Sequence, residues 1–221
     1  MENFYLTKRS VVQLSSDTFV MVFDEKLSFK PGQFLMVYIG GLVRKPFLLG
    51  TWQGQLAISV KVKGERTRKL VSELEKIKAH GPLGKEFVPP SKNGLVIGSP
   101  SALTFLMAFK EKWECDVAIA SREKLVSRVP FKALVGNEEF LEFLKDVKGK
   151  REWFLLVGSR DMKSAAIEIL GRNGVFVSLE EFMGCGIGAC KGCAVFVDGE
   201  VKHVCMDGPI FEVSALGGDV I

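Results

Sequence analysis

Four of the chain's five cysteines fall between Cys185 and Cys205, in the stretch EEFMGCGIGACKGCAVFVDGEVKHVC, which also holds five of its 23 glycines. The spacing is Cys185-x4-Cys190-x2-Cys193-x11-Cys205. The end of the chain has to fold around those thiols, and three chemistries could use them. Disulfides need an oxidising compartment. The N-terminal MENFYLTKRS has no apolar core of a signal peptide, and no apolar run approaches the roughly 18 residues of a membrane span. The chain is therefore expected in the cytoplasm, where thiols stay reduced. A structural zinc site usually takes two short Cys pairs, whereas here a triplet is followed by a lone cysteine. The third chemistry is a [2Fe–2S] cluster, whose plant-type ligand spacing is C-x4-C-x2-C with a distant fourth cysteine. Gly184, Gly186, Gly188 and Gly192 would let backbone N–H groups turn toward the negative sulfides at close range. Zinc thiolates also accept such bonds, so the glycines weigh only together with the spacing. Cys115 stands apart at a strand start and reads as an ordinary buried residue.

The rest of the chain changes texture twice. Its 221 residues, 47% of them apolar, allow two or three units with real cores. Residues 1–91 read as short strands rich in β-branched and aromatic residues, such as FVMVFDE, QFLMVYIG and QLAISVKVKG, between turns at KPGQ and WQGQ. That pattern predicts an antiparallel β-barrel or sandwich with one helix in TRKLVSELEKIKAH. GPLGKEFVPP then punctuates the chain. Residues 92–179 alternate apolar strands (GLVIG, DVAIA, KALVG, WFLLVGS, GVFVSL) with amphipathic helices (ALTFLMAFKEKW, NEEFLEFLKDV, DMKSAAIEILG). Alternation of this kind predicts a parallel sheet covered by helices, with ligands at the carboxyl ends of its strands. Residues 180–221 form the cysteine unit. Within it CAVFVDGEVKHVC predicts a hairpin turning at Asp198-Gly199, which would bring Cys193 near Cys205.

Other classes have little support. The net charge is only +4, with basic and acidic residues mixed along the chain, so no nucleic-acid surface is expected. Two histidines, His80 and His203, are a thin basis for a hydrolase. No catalytic residue is assigned, and no repeat or low-complexity tract is present.

SLEEFMGCGIGACKGCAV together with HVCMDGPIFEVSAL resembles the C-terminus of the electron-transfer subunit of NAD-linked, two-subunit dihydroorotate dehydrogenase, within the ferredoxin reductase-like superfamily. The CGIGAC wording is more specific than the bare spacing, and the likeness extends weakly over the whole chain. It implies an FAD-binding barrel, an NAD-binding α/β domain and a [2Fe–2S] tail, in the order the textures suggest. It also implies that Cys185, Cys190, Cys193 and Cys205 hold a cluster passing electrons between FAD and the FMN of a separate catalytic subunit, in pyrimidine biosynthesis. The assembly it implies is a heterotetramer.

The departures from that family matter as much as the likeness. The flavin-binding strand usually reads Arg, any residue, an aromatic or aliphatic residue, then Ser or Thr. Here Lys45-Pro46-Phe47-Leu48 stands in its place. Lys45 keeps the charge that would grip the FAD pyrophosphate but loses the bidentate fork, and Leu48 has no hydroxyl for the flavin ring. The phosphate seat, usually Gly-x-Gly-Thr at a helix N-terminus, is Gly64-Glu65-Arg66-Thr67. Arg66 there either adds a phosphate contact or blocks the seat. On the nicotinamide side, VIGSPSALTF keeps only Gly98 of a glycine-rich loop, and Pro100 equally suits a helix start. VGSRDMKSA has Val157 where the family carries a Cys, with Gly158 and Met162 retained. The expectation is an electron-transfer subunit with an intact cluster, weakly held FAD and a doubtful NAD site. Two alternatives stay open: an electron-transfer subunit of another oxidoreductase such as a hydrogenase, and a zinc-tailed interaction module on a degenerate reductase scaffold.

Overall fold

The computed structural model describes residues 3–40, 44–180 and 183–217. Its N-terminal part is a seven-stranded antiparallel sheet. The strands are β1 (Phe4–Gln13), β2 (Thr18–Phe23), β3 (Phe34–Tyr38), β4 (Arg44–Leu48), β5 (Gly50–Trp52), β6 (Gln55–Lys61) and β7 (Lys76–Leu83), in the order β4-β3-β7-β1-β2-β6-β5. Their inward residues, among them Leu6, Met21, Leu35, Ile58 and Ile77, form one apolar core. One short helix, α1 (Glu65–Ser72), follows β6.

The helix expected over TRKLVSELEKIKAH is cut short. It buries Thr67, Leu70 and Val71 at helical spacing and stops at Ser72. The second half of that segment is β7, where Ile77 and Ala79 are buried and Lys76 is exposed. β7 lies in the interior of the sheet, paired with β3 on one edge and β1 on the other. β1 pairs with its Lys76–Ala79 half and β3 with its Ala79–Leu83 half, and these backbone hydrogen bonds outweigh the modest helix preference of a Glu- and Lys-rich segment.

The middle of the chain is the alternating unit that its pattern predicts. Strands β8 (Gly94–Gly98), β9 (Asp116–Ser121), β10 (Lys132–Val135), β11 (Trp153–Val157) and β12 (Val175–Ser178) pair in parallel, in the order β10-β9-β8-β11-β12. Helices α2 (Leu103–Lys112), α3 (Gly136–Val147) and α4 (Arg160–Leu170) connect them, and a 3₁₀ turn at Pro100–Ala102 leads into α2. β8 and β11 are buried along their whole length, which explains their unbroken apolar runs. The strand order reverses between these two, so the crevice of the sheet opens at Gly98 and Gly158.

The C-terminal part contains the expected hairpin. β13 (Ala194–Val197) pairs with β14 (Glu200–His203), and Asp198 and Gly199 both take left-handed conformations at the turn. A single helical turn, α5 (Val204–Asp207), carries Cys205. The chain then returns as β15 (Ile210–Glu212), which adds antiparallel to β12 with Val177 opposite Phe211. The cysteine unit is thus stitched into the parallel sheet, a pairing that no local pattern announces.

The two large sheets meet where β5 and β6 pack on α2. Gly50 lies so close to the Thr104 backbone that a Cβ there would collide with it. Ser59 Oγ accepts the Thr104 N–H at 3.1 Å and lies 3.2 Å from Thr104 Oγ1, in a buried setting. Among the described residues no helix is long and apolar enough to cross a membrane. Gly50→Ala is expected to force the two sheets apart and destabilise the protein by about 1–3 kcal/mol, the usual range for overpacking. A lowered midpoint in urea denaturation followed by tryptophan fluorescence is the check.

Candidate functional site

The four clustered cysteines come together as two pairs. Cys193 Sγ and Cys205 Sγ are 3.3 Å apart, and both residues are buried. The β13–β14 hairpin brings them together, since the Val204 N–H reaches the Cys193 carbonyl at 3.0 Å. Cys185 and Cys190 sit on the preceding loop. The Cys190 N–H points at Cys185 Sγ at 3.4 Å, and the Cys190 thiol also lies against it. All four thiols are free. Among the described residues no three His, Cys, Asp or Glu side chains gather about one point that would hold a metal ion. Two pairs of thiolates are what a two-iron cluster requires, two for each iron.

Backbone donors face these sulfurs. Ile187 N–H reaches Cys185 Sγ at 3.4 Å, and Gly188 N–H reaches Cys205 Sγ at 3.1 Å. Burial works to raise the Cys185 pKa, but the N–H groups of Cys190 and Ile187 outweigh it and bring it down to about 7. Burial, with the neighbouring Cys193 thiol, pushes Cys205 up to about 12 when no metal is bound. Inward N–H groups, free thiols and paired sulfurs together fit a [2Fe–2S] cluster. Cys115 lies elsewhere, and burial raises its thiol to about 11, which keeps it inert, as its isolated position suggests.

The loop rests on the antiparallel sheet. Gly186, at φ +76°, is pressed against β3 and β7; a Cβ there would lie 2.7 Å from Met36 Cγ and 2.8 Å from Leu83 Cδ1. Beside it, His80 Nε2 is 3.2 Å from the Cys185 carbonyl oxygen. Burial lowers the His80 pKa, the carbonyl opposes that, and the Arg44 charge adds to it. Among the described residues His80 Nδ1 is buried with no hydrogen-bond partner, as is His203 Nε2 two residues before Cys205.

The seven residues singled out for a flavin fall on two elements. Lys45, Pro46, Phe47 and Leu48 lie on β4, at one end of the sheet order. Gly64, Arg66 and Thr67 open α1. β4 runs on through Leu49 into β5, and β5 pairs antiparallel with β6, so by register the Lys45 end of β4 and the Gly64 end of β6 share one end of the sheet. Lys45 and Arg66 are exposed. Gly64 caps α1 without a side-chain hydrogen bond, which leaves the first N–H groups of the helix open to an anion. Thr67 is different. Its hydroxyl accepts the Lys63 N–H at 3.1 Å and donates to the Gly64 carbonyl at 3.0 Å, so it is consumed within its own turn. Leu48 packs on two apolar clusters instead of presenting a polar atom. Two exposed cations and a helix start without a side-chain cap suit a pyrophosphate.

Side chains stand close at the carboxyl ends of β8 and β11. Pro100 opens the 3₁₀ turn, as its place after Ser99 suggests, and Ser99 Oγ pairs with Ser101 Oγ at 2.9 Å. Met162 Sδ and Ser99 close over Gly158, where an added Cβ would lie 2.6 Å from the sulfur. Ser99, Pro100 and Ser101 thus carry side chains or a ring in the loop after β8, where a dinucleotide-binding loop has bare backbone.

Residues 180–217, the segment holding all four paired cysteines, match the iron–sulfur cluster binding domain of dihydroorotate dehydrogenase B. A protein of Thermotoga maritima is 49% identical over 211 residues, covering 96% of each chain. One of Methanocaldococcus jannaschii is 30% identical over 228 residues, covering 92% of this chain and 87% of its own. Both are named as electron transfer subunits of dihydroorotate dehydrogenase B (NAD(+)). The chain belongs to this family of electron transfer subunits. Among solved structures, the NADH-dependent reduced ferredoxin-NADP oxidoreductase superposes on 97% of this chain and 90% of its own, with a TM-score of 0.78 at 23% identity. That likeness is one of fold alone: this dihydroorotate dehydrogenase B relative has a ferredoxin reductase-like fold with an antiparallel sheet, a parallel-type sheet and a C-terminal iron–sulfur binding domain.

Within this family member, the sequence reading missed His80, Met36 and Leu83. Nothing near them in the chain marks them: His80 is 105 positions from Cys185. The one usable signal was a buried-looking histidine beside GPLG. Gly186→Ala is expected to unseat the loop and cut iron and sulfide content by more than half after anaerobic reconstitution. Gly149→Ala, which shares the positive φ but would meet no neighbouring atom and lies outside the cysteine unit, serves as the control with near-normal content.

Proposed function

We propose that this chain is the electron transfer subunit of an NAD-linked dihydroorotate dehydrogenase. In this reading Cys185, Cys190, Cys193 and Cys205 hold a [2Fe–2S] cluster that links an FAD on the antiparallel sheet to the FMN of a catalytic partner subunit. The observation that carries it is the pair of thiol pairs met by inward N–H groups, within the segment that matches the cluster-binding domain. When bound, the cluster takes and returns electrons one at a time. The chain's own part is to hold and position. Gly188, Ile187 and Cys190 direct their N–H groups at sulfur, and the hairpin keeps Cys193 beside Cys205.

The domain boundaries that follow are 1–91, 92–179 and 180–221. The first unit closes as a barrel in this reading, because β4 and β5 are successive strands that stand at opposite ends of the sheet order. FAD would lie along β4, with Lys45 and Arg66 at its phosphates and the open start of α1 as their seat; Pro46 and Phe47 would flank it. Its hold is weakened because Leu48 offers no hydrogen bond and the Thr67 hydroxyl is already used. The side chains of Ser99 and Ser101 and the Pro100 ring, where the family carries a glycine-rich loop, argue for poor direct use of NAD by this subunit. The catalytic partner would cover the exposed Cys190 edge, where Ile187 and Met206 also stand out to solvent at 44% and 50% exposure. A heterotetramer in the cytoplasm, without membrane or nucleic-acid contacts, completes the proposal.

Two experiments test it. Anaerobically purified protein is expected to be reddish-brown, to contain iron and acid-labile sulfide, and to give a rhombic EPR signal on reduction. Cys190→Ser should lose most of that signal. Stoichiometric zinc without sulfide would overturn the cluster and favour a zinc-tailed module. For the flavin, Lys45→Arg restores a bidentate phosphate contact and should raise FAD retention on dialysis about two- to tenfold. Arg66→Gly should lower it if Arg66 contacts a phosphate; a rise would mean that Arg66 blocks the seat.

A further inference from the structure

His80 sits on β7, an interior strand of the antiparallel sheet, with its side chain only 5% exposed. Register places it opposite Met36 on β3, and Met36 opposite Pro46 on β4. A row of three residues therefore crosses the sheet from the candidate flavin strand to the cysteine loop. At the end of that row, His80 Nε2 meets the Cys185 carbonyl oxygen at 3.2 Å. The other contacts of Gly186 with the sheet, to Met36 and Leu83, are apolar.

The contact fixes the ring's tautomer. A carbonyl oxygen only accepts, so Nε2 carries the proton and Nδ1 is left bare. Among the described residues the buried Nδ1 has no hydrogen-bond partner, a cost that an apolar residue of similar size would avoid. What the imidazole contributes at this place is its one bond to Cys185. The ring is also held in its pose: Tyr38 meets it edge-on at 6.1 Å, and Tyr38 is itself flanked by Arg44 at 4.6 Å and Lys78 at 4.9 Å.

The bonded peptide matters for the sulfur. The Cys185 carbonyl belongs to the peptide that enters Gly186, and the next residue, Ile187, sends its N–H back to Cys185 Sγ. Holding that carbonyl holds the turn that aims the donor. We propose that His80 is a positioning residue for the cluster: it pins the Cys185 carbonyl to the antiparallel sheet, and so sets the hydrogen bonding of the first thiolate and the seat of the loop on Met36, Leu83 and His80. This rests on the cluster reading for its spectroscopic consequence, but the seating of the loop does not.

The test compares the full chain with His80→Phe, which keeps bulk and removes the donor, and with His80→Gln, whose amide can donate from a similar reach. Three quantities are read on anaerobically prepared protein: iron and sulfide per chain, the EPR g-values and midpoint potential of the reduced cluster, and hydrogen exchange of residues 184–190. His80→Phe is expected to speed exchange in that segment about three- to tenfold, the factor that one net hydrogen bond corresponds to, and to shift the g-values and the potential. His80→Gln should return both to within about twofold of the parent exchange rate and to the parent signal. Unchanged exchange and spectra in His80→Phe, or a His80→Gln protein no closer to the parent than His80→Phe, would overturn the proposal. Should His80→Phe fail to fold, His80→Asn, whose shorter amide stops short of the carbonyl, makes the same comparison. Zinc without sulfide in the parent protein would end the cluster reading, while the exchange comparison would still decide whether His80 seats the loop.

Discussion

A cluster held by four thiolates carries negative charge into the protein, and backbone N–H dipoles must meet that charge where water is excluded. Much of the C-terminal architecture answers this demand. The loop from Gly184 to Cys193 turns its N–H groups inward, toward Cys185 and Cys205. A chain folded that way spends its donors on sulfur and cannot form a helix or strand of its own. It needs support from elsewhere, and gets it from three sides: the β13–β14 hairpin, the Met36, Leu83 and His80 surface of the antiparallel sheet, and β15 locked into the parallel sheet.

The same dependence ties the three parts of the chain together. β6 and α2 share the buried Ser59–Thr104 hydrogen bonds. Lys85, just past β7, donates its N–H to the Gly208 carbonyl at 2.7 Å, between Cys205 and β15. Each large sheet therefore holds one end of the cysteine unit. In an electron carrier this rigidity has a use, because transfer between centres depends on a fixed separation and not on a moving part.

The nucleotide sites show the opposite trend. Ser99 carries a side chain beside Gly158, and Leu48 packs against two apolar clusters. These positions are packed and locally satisfied.

The sequence by itself determined what depends on near neighbours. The cysteine spacing, the Asp198-Gly199 hairpin, the apolar runs of β8 and β11 and the helical period of α2, α3 and α4 are all local patterns, and each was legible. The Lys45–Leu48 and Gly64–Thr67 segments were legible as motifs, but the use of their atoms was not: that Thr67 is spent on Lys63 and Gly64 is a matter of conformation. The tertiary structure alone decided the rest. It made Lys76–Leu83 a strand because two partner strands flank it, added β15 to a sheet begun more than a hundred residues earlier, and set His80 against Cys185. Hydrogen bonds between distant segments leave no period in the chain; they exist only once the fold has brought the partners within reach.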